Sequence, residues 1–488
     1  MRSIWELLRS LSGRFYLSLA LAVFGVWALA VWLTRDLAEP LRWVAIVALS
    51  AALVYFGVFP LLVALFRLAY GVVSRVWRPG PWRSRRGVPA PAITIRRPES
   101  PDRPPWIQTP NGPHVGTLDA FRAQDASELD DTQLRIGIVL AGGGGKGVYQ
   151  AGALRALWDF LTEQDALRFV RAVTGTSIGA WNALFWLADR VRDDALRDWW
   201  LSAEPGKLVG PTFYIPVVRN YVLDPRPWRR QFRAIFGDRL DGLLRPEPPF
   251  YYLTRTNVPR ARLECTTNRD PAYRYIRRTR TGYEKVAPVV DEAKGRHRVT
   301  DVADLERALF TSMDIPPAFK RMRGPTGEEC EDGGVIDNLP IRYATRYEGC
   351  NLLFVFPLNA TFAAQVSSWS ILRRLFRVMD VRQGTLERDA IRDIGLYNEV
   401  IHAGEVAEYE NLHVKPVTTF CIGPEPPLDV GTYEFWKMRR AAAGAYQLMY
   451  EATHDELRRF DFSTDNRSVW MARVRADGAV TYTDFTLR

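Results

Sequence analysis

Hydrophobic and polar positions divide the chain into two unlike parts. Residues 15–34 run for 20 positions without a charged side chain, and residues 43–66 for 24. At about 1.5 Å of rise per residue, either run crosses a hydrocarbon core of about 30 Å as a helix. Only a short loop separates them, so the pair predicts a transmembrane helical hairpin, with Trp27, Trp32, Trp43 and Tyr55 adding interface-seeking aromatics. From about residue 133 the pattern changes. Residues 135–140 form a short apolar run with β-branched members, which predicts a buried strand. Val148, Ala151, Leu154, Leu157, Trp158 and Leu161 then recur at helical spacing. A second strand is predicted over 169–173, a helix from Ile178, and a further buried strand over 351–356. Strands alternating with helices predict an α/β fold, and here specifically a mainly parallel sheet covered on both faces. Residues 189–268 are aromatic and irregular, and read equally as a cap over a site or as outer helices of the core. Near the end, Ala476-Asp477-Gly478 sits between two alternating runs and predicts a β-hairpin over 469–485.

These patterns give four regions: a membrane hairpin (1–78), a basic proline-rich linker (79–132), a catalytic domain (133–460) and a C-terminal hairpin extension (461–488). Charge sharpens the first two. The net charge is +10, and nine arginines fall between Arg67 and Arg103 against only Glu99 and Asp102. Arg2, Arg9 and Arg14 precede the first apolar run. The positive-inside rule therefore predicts an integral membrane protein with spans at about 15–34 and 43–66, and everything after them cytoplasmic. The arginines between Arg67 and Arg103 fit anionic lipid headgroups, or equally a solvated linker. No zinc-ligand, RNP-like or basic-zipper pattern accompanies the charge, which argues against a nucleic-acid partner. Four cysteines (265, 330, 350 and 421) lack disulfide or metal spacing, and no cofactor or metal is expected.

Three clusters carry candidate chemistry. The first is the loop Gly142, Gly143, Gly144, Gly145, Lys146 and Gly147, between a predicted strand and a predicted helix. Such a loop aims several backbone N–H groups at one point, where it binds a permanent or transient anion. It satisfies G-x-G-x-x-G formally, but the acidic residue that a dinucleotide would need after the next strand is replaced by Thr174-Gly175-Thr176-Ser177. The second cluster is Gly175-Thr176-Ser177-Ile178-Gly179, the nucleophile-elbow pattern G-x-S-x-G in its proper strand-to-helix setting. The third is Asp332-Gly333-Gly334.

In this order and on these elements, the three clusters resemble the patatin-like phospholipase family. Ser312-Met313-Asp314-Ile315-Pro316 is similar to its Ser-x-x-Ile-Pro segment, although Met313-Asp314 replaces smaller residues. The run from Asp332 to Pro340 extends the likeness. The resemblance implies a three-layer α/β/α domain, with Ser177 as nucleophile and Asp332 as its base, without a histidine. It implies an oxyanion hole from Gly143, Gly144 and Gly145 with Lys146 supporting the loop, and a membrane phospholipid or lysophospholipid as substrate. A carboxylate base of ordinary pKa, near about 4, would keep activity in mild acid. The alternatives are a nucleotide-binding membrane protein and a catalytically inactive membrane-tethered scaffold.

Overall fold

The computed structural model describes residues 134–485 apart from 204–207, 209, 212–222, 280–281, 316–318, 320–321, 360–370, 403–416, 427, 429, 433–436, 461 and 463–468, together with the short strands Gln108–Thr109 and Gly112–Pro113. The predicted membrane spans at 15–34 and 43–66 lie outside the described residues. Among the described residues, no helix is long and apolar enough to cross a membrane.

In chain order the elements that position the site are β1 (Ile136–Leu140), α1 (Gly147–Glu163), β2 (Val170–Thr176), α2 (Ile178–Leu187), α3 (Ala195–Ser202), α4 (Arg226–Phe236), β3 (Phe250–Asn257), β4 (Arg262–Thr267), β5 (Arg296–Arg298), α5 (Val302–Ser312), β6 (Glu329–Asp332), β7 (Leu352–Phe356), α6 (Ile371–His402), β8 (Thr418–Pro424), α7 (Met438–Arg459), β9 (Trp470–Val474) and β10 (Val480–Asp484). The sheet runs β5-β4-β3-β2-β1-β7-β8-β9-β10. Its six central strands, β3 to β9 in that order, are mutually parallel, with Ile138 opposite Val173 on one side and Phe354 on the other. β6 lies antiparallel to β3 and sets Asp332 opposite Arg255. The C-terminal hairpin continues this sheet rather than standing apart from it: β9 pairs in parallel with β8, and β10 in antiparallel with β9.

Strand alternation builds the layers. Ile136, Ile138 and Leu140 of β1 point into a large apolar cluster with α1, α2, α3 and α7. Val139 points the other way, into a smaller cluster with Ile391 and Ile394 of α6. With helices on both faces, every residue of β1 is buried, as a central parallel strand requires. Hence the chain has the three-layer α/β/α fold with a mainly parallel sheet. The aromatic stretch that begins at residue 189 resolves into core as well as outer helices. Trp181 of α2 meets Trp199, Trp228 and Phe236 at centroid distances of 5.0, 5.4 and 5.6 Å, contacts each worth about 0.5–1.5 kcal/mol beyond their buried area. Unlike a cap, that stretch also supplies the sheet strand β3, buried along its whole length. All four cysteines are free and buried.

Candidate active site

The candidate residues gather at the carboxyl ends of the parallel strands, where open α/β sheets place their ligands. Ser177 follows β2 directly and has φ 55° and ψ −125°, a conformation that costs a non-glycine residue about 1–3 kcal/mol. The tight turn is possible because the next helix lies hard against β1. A Cβ at Gly179 would come within 2.4 Å of the Leu140 carbonyl oxygen, so only glycine permits that approach. The Ser177 N–H donates to Ser312 Oγ at 2.9 Å, which pins the turn to the end of α5. Its side chain stands at the amino end of α2, where the helix dipole favours negative charge.

Asp332 ends β6 and is 3% exposed. Its N–H donates to the Asp314 carbonyl at 2.9 Å, and its Oδ1 accepts from the Gly334 N–H at 2.7 Å. Burial pushes this carboxyl up to about 7, against the downward pull of the Ser177 hydroxyl and the Gly334 N–H, while the Glu331 charge adds to the rise. The Ser177 hydroxyl is close enough to lower this pKa, yet Asp332 Oδ2 has no hydrogen-bond partner among the described residues. Catalytic contacts are often this loose before substrate arrives. The value near 7 replaces the expectation of an ordinary carboxylate, because desolvation depends on the folded surroundings. Of the histidines, His297 lies at the sheet edge against Glu264 (3.6 Å), and His454 on α7 beside Asp455 (3.6 Å). Among the described residues no histidine bonds to Ser177 or Asp332.

The glycine loop is built by contacts on every side. Gly144 has φ +54°, and a Cβ there would lie 2.1 Å from the Thr432 carbonyl oxygen, so this position is closed to side chains twice over. The Gly145 N–H donates to that same carbonyl at 2.9 Å. It is therefore engaged, and of the three predicted donors only the amides of Gly143 and Gly144 make no hydrogen bond among the described residues. Lys146 is buried. Its Nζ donates to Asn359 Oδ1 at 2.7 Å and pairs with Asp380 at 3.4 Å, an arrangement that braces the loop against α6. Gln150, on the first turn of α1, donates to the carbonyls of Ala141 and Phe356 and accepts from Asn182.

Several contributing residues were not singled out from the sequence. Asn338 and Asn359 each donate to the Gly142 carbonyl, at 3.0 and 3.1 Å. Asn338 lies in the segment after Asp332, and Asn359 just beyond β7, so position at a strand end was the available signal. Glu387 on α6 is bound by both asparagines and had no such signal. Beside the Asp332 strand, Trp228, Phe310, Met313, Asp314, Phe319 and Met322 line a small, mostly apolar cleft. Met313 is thus one of its walls.

With this geometry in place, the chain can be set beside known proteins. Residues 138–345 match the family Patatin-like phospholipase, a span that contains Ser177, Asp332 and the glycine loop. That segment of the chain is thus similar to the patatin-like phospholipase domain. Over 304 residues, 62% of this chain, it is 22% identical to Lysophospholipase nte1 of Aspergillus terreus (strain NIH 2624 / FGSC A1156). That match spans only 17% of the fungal protein's length. Among solved structures, the crystal structure of VipD from Legionella pneumophila is similar at a TM-score of 0.35 and 14% identity, covering 67% of this chain and 68% of that one.

Proposed function

We propose that this chain is a membrane-anchored serine lipid acyl hydrolase working through a Ser177–Asp332 dyad. The observation that carries the reading is the strained Ser177 turn at the head of α2, with the buried Asp332 carboxyl close to its hydroxyl, inside the segment similar to the patatin-like phospholipase domain. Ser177 Oγ attacks the ester carbonyl while Asp332 takes its proton. The tetrahedral oxyanion is received by the N–H groups of Gly143 and Gly144. Collapse expels the alcohol, which leaves with the proton from Asp332, and an acyl-Ser177 remains. Water, deprotonated by Asp332, then attacks that ester and releases the fatty acid, restoring the serine. A base whose pKa lies near 7 is well matched to this relay at neutral pH, since both protonation states are accessible.

Phospholipid or lysophospholipid is the favoured substrate class. The fungal relative is named a lysophospholipase, and apolar side chains gather beside the Asp332 strand. The two uncharged runs at 15–34 and 43–66 and the arginines that follow would hold the domain beside a cytoplasmic leaflet. Lipid analysis of cells expressing the wild type and Ser177→Ala tests the proposal. Accumulation of lysolipid or free fatty acid only with the wild type supports it; identical lipid profiles despite equal expression refute it.

A further inference from the structure

We infer that Glu387, on α6 and beyond the segment that matches the family, is a positioning residue that aims the Gly143 N–H at the oxyanion. The inference rests on the acyl-hydrolase reading above. Its carboxyl group collects four donors. Oε2 accepts from the backbone N–H groups of Leu358 (3.2 Å) and Asn359 (2.9 Å). Oε1 accepts from the side-chain amides of Asn359 (2.7 Å) and Asn338 (2.5 Å). An amide nitrogen carries two hydrogens, and each asparagine gives its second to the Gly142 carbonyl. The result is a closed clamp: one carboxylate holds two amides, and both amides hold one carbonyl oxygen.

That carbonyl belongs to the Gly142–Gly143 peptide unit. In a trans peptide the C=O and the N–H of one unit point in opposite directions, so fixing the Gly142 oxygen fixes where the Gly143 hydrogen points. Glycines on both sides leave this unit free to rotate, and nothing in its own side chains would choose an orientation. The clamp chooses it. Two hydrogen bonds arriving at the carbonyl also polarise the unit and strengthen the N–H as a donor. Asn338 further ties this peptide to the Asp332 segment, and its own carbonyl accepts the Gly142 N–H at 3.3 Å. A fully buried carboxyl on a helix is expensive unless it is bonded throughout. All four partners here are donors, which is the environment of a carboxylate rather than of an amide.

The test uses the purified full-length chain in mixed micelles, with an aryl ester and the matching thionoester, in which sulfur replaces the carbonyl oxygen. Sulfur is a poor acceptor, so the ester-to-thionoester ratio of kcat reports the oxyanion donors specifically. Glu387→Gln keeps the volume but turns one acceptor into a donor. It is expected to lower kcat on the oxygen ester by about 10- to 100-fold, less than the about 10²–10³ that loss of a whole donor costs, with KM nearly unchanged. The ester-to-thionoester ratio should shrink by a similar factor. Glu387→Asp should restore part of both, and Asn359→Ala should shift both in the same direction, so the reading stays testable if the glutamine variant fails to fold. A fall in kcat with an unchanged ratio, or no fall at all in folded variants, overturns the inference alone. If wild-type hydrolysis proves independent of Ser177, the underlying enzyme reading falls, and the inference with it.

Discussion

Replacing Asp332 by asparagine should make the folded chain more stable while destroying its activity, and by an amount that depends on pH. Burial lifts the folded-state pKa from an ordinary 3.8 to about 7. Between those values the folded protein keeps a proton that the unfolded chain has released, so stability is greatest in acid and declines as pH rises through the window. At about 1.4 kcal/mol per pH unit, the full penalty of holding this carboxylate is about 4 kcal/mol above pH 7, of which a little under half is already present near pH 5. Asparagine has the same shape, retains an oxygen for the Gly334 N–H and does not titrate. The advantage of Asp332→Asn over the wild type should therefore grow by about 2–3 kcal/mol between about pH 5 and about pH 8. Glu387, raised to about 7 by burial, titrates in both proteins and cancels from the comparison. Denaturant unfolding of the two purified chains at both pH values measures this difference. A difference that stays flat with pH would show that the Asp332 carboxyl is not destabilised by burial, and its role as a near-neutral base would lose its physical ground.

Other expectations follow from the same geometry. Gly144→Val should cut kcat by about 10²–10³ with cooperative unfolding retained, because its Cβ would strike the Thr432 carbonyl and drive the loop off its position; near-normal turnover would make the loop merely structural. The pH profile of kcat/KM should fall on the acid side around pH 7 as Asp332, and Glu387 behind the glycine loop, take up protons, and His297→Ala and His454→Ala should keep that limb and substantial activity. A histidine whose loss abolishes the limb would identify a different base. The full-length chain should stay in the membrane fraction through a high-salt wash, since two spans bury far more apolar surface than charged contacts can hold. A reporter fused after Arg488 should behave as cytoplasmic, and reporter activity on the opposite side would reverse the orientation.

How much of this was legible in the sequence depends on how local the cause is. The Ser177 turn and the glycine loop are local: each needs particular small residues at fixed spacing between a strand and a helix, so both could be located from the chain alone. β3 was hidden inside the aromatic stretch because its run, Phe-Tyr-Tyr-Leu-Thr-Arg-Thr-Asn, neither alternates nor stays apolar. It is buried on both faces only because Arg255 finds Glu264 and Thr266 across the neighbouring strand. The engagement of Gly145 by Thr432 joins residues far apart in sequence, so a free donor and an occupied one looked the same. The Asp332 pKa and the Glu387 clamp are likewise products of tertiary burial. A glutamate within a charged helix carries no mark of the two asparagines it will hold.

The most direct test of the central claim is hydrolysis of a defined phospholipid in mixed micelles by four proteins: the wild type, Ser177→Ala, Asp332→Asn and the double variant. Residues that act as one unit lose nearly everything with the first removal. Each single variant should therefore fall to the level of the double, with all three folded. Substantial turnover by Asp332→Asn, or a double variant far worse than either single one, would contradict a serine–aspartate dyad.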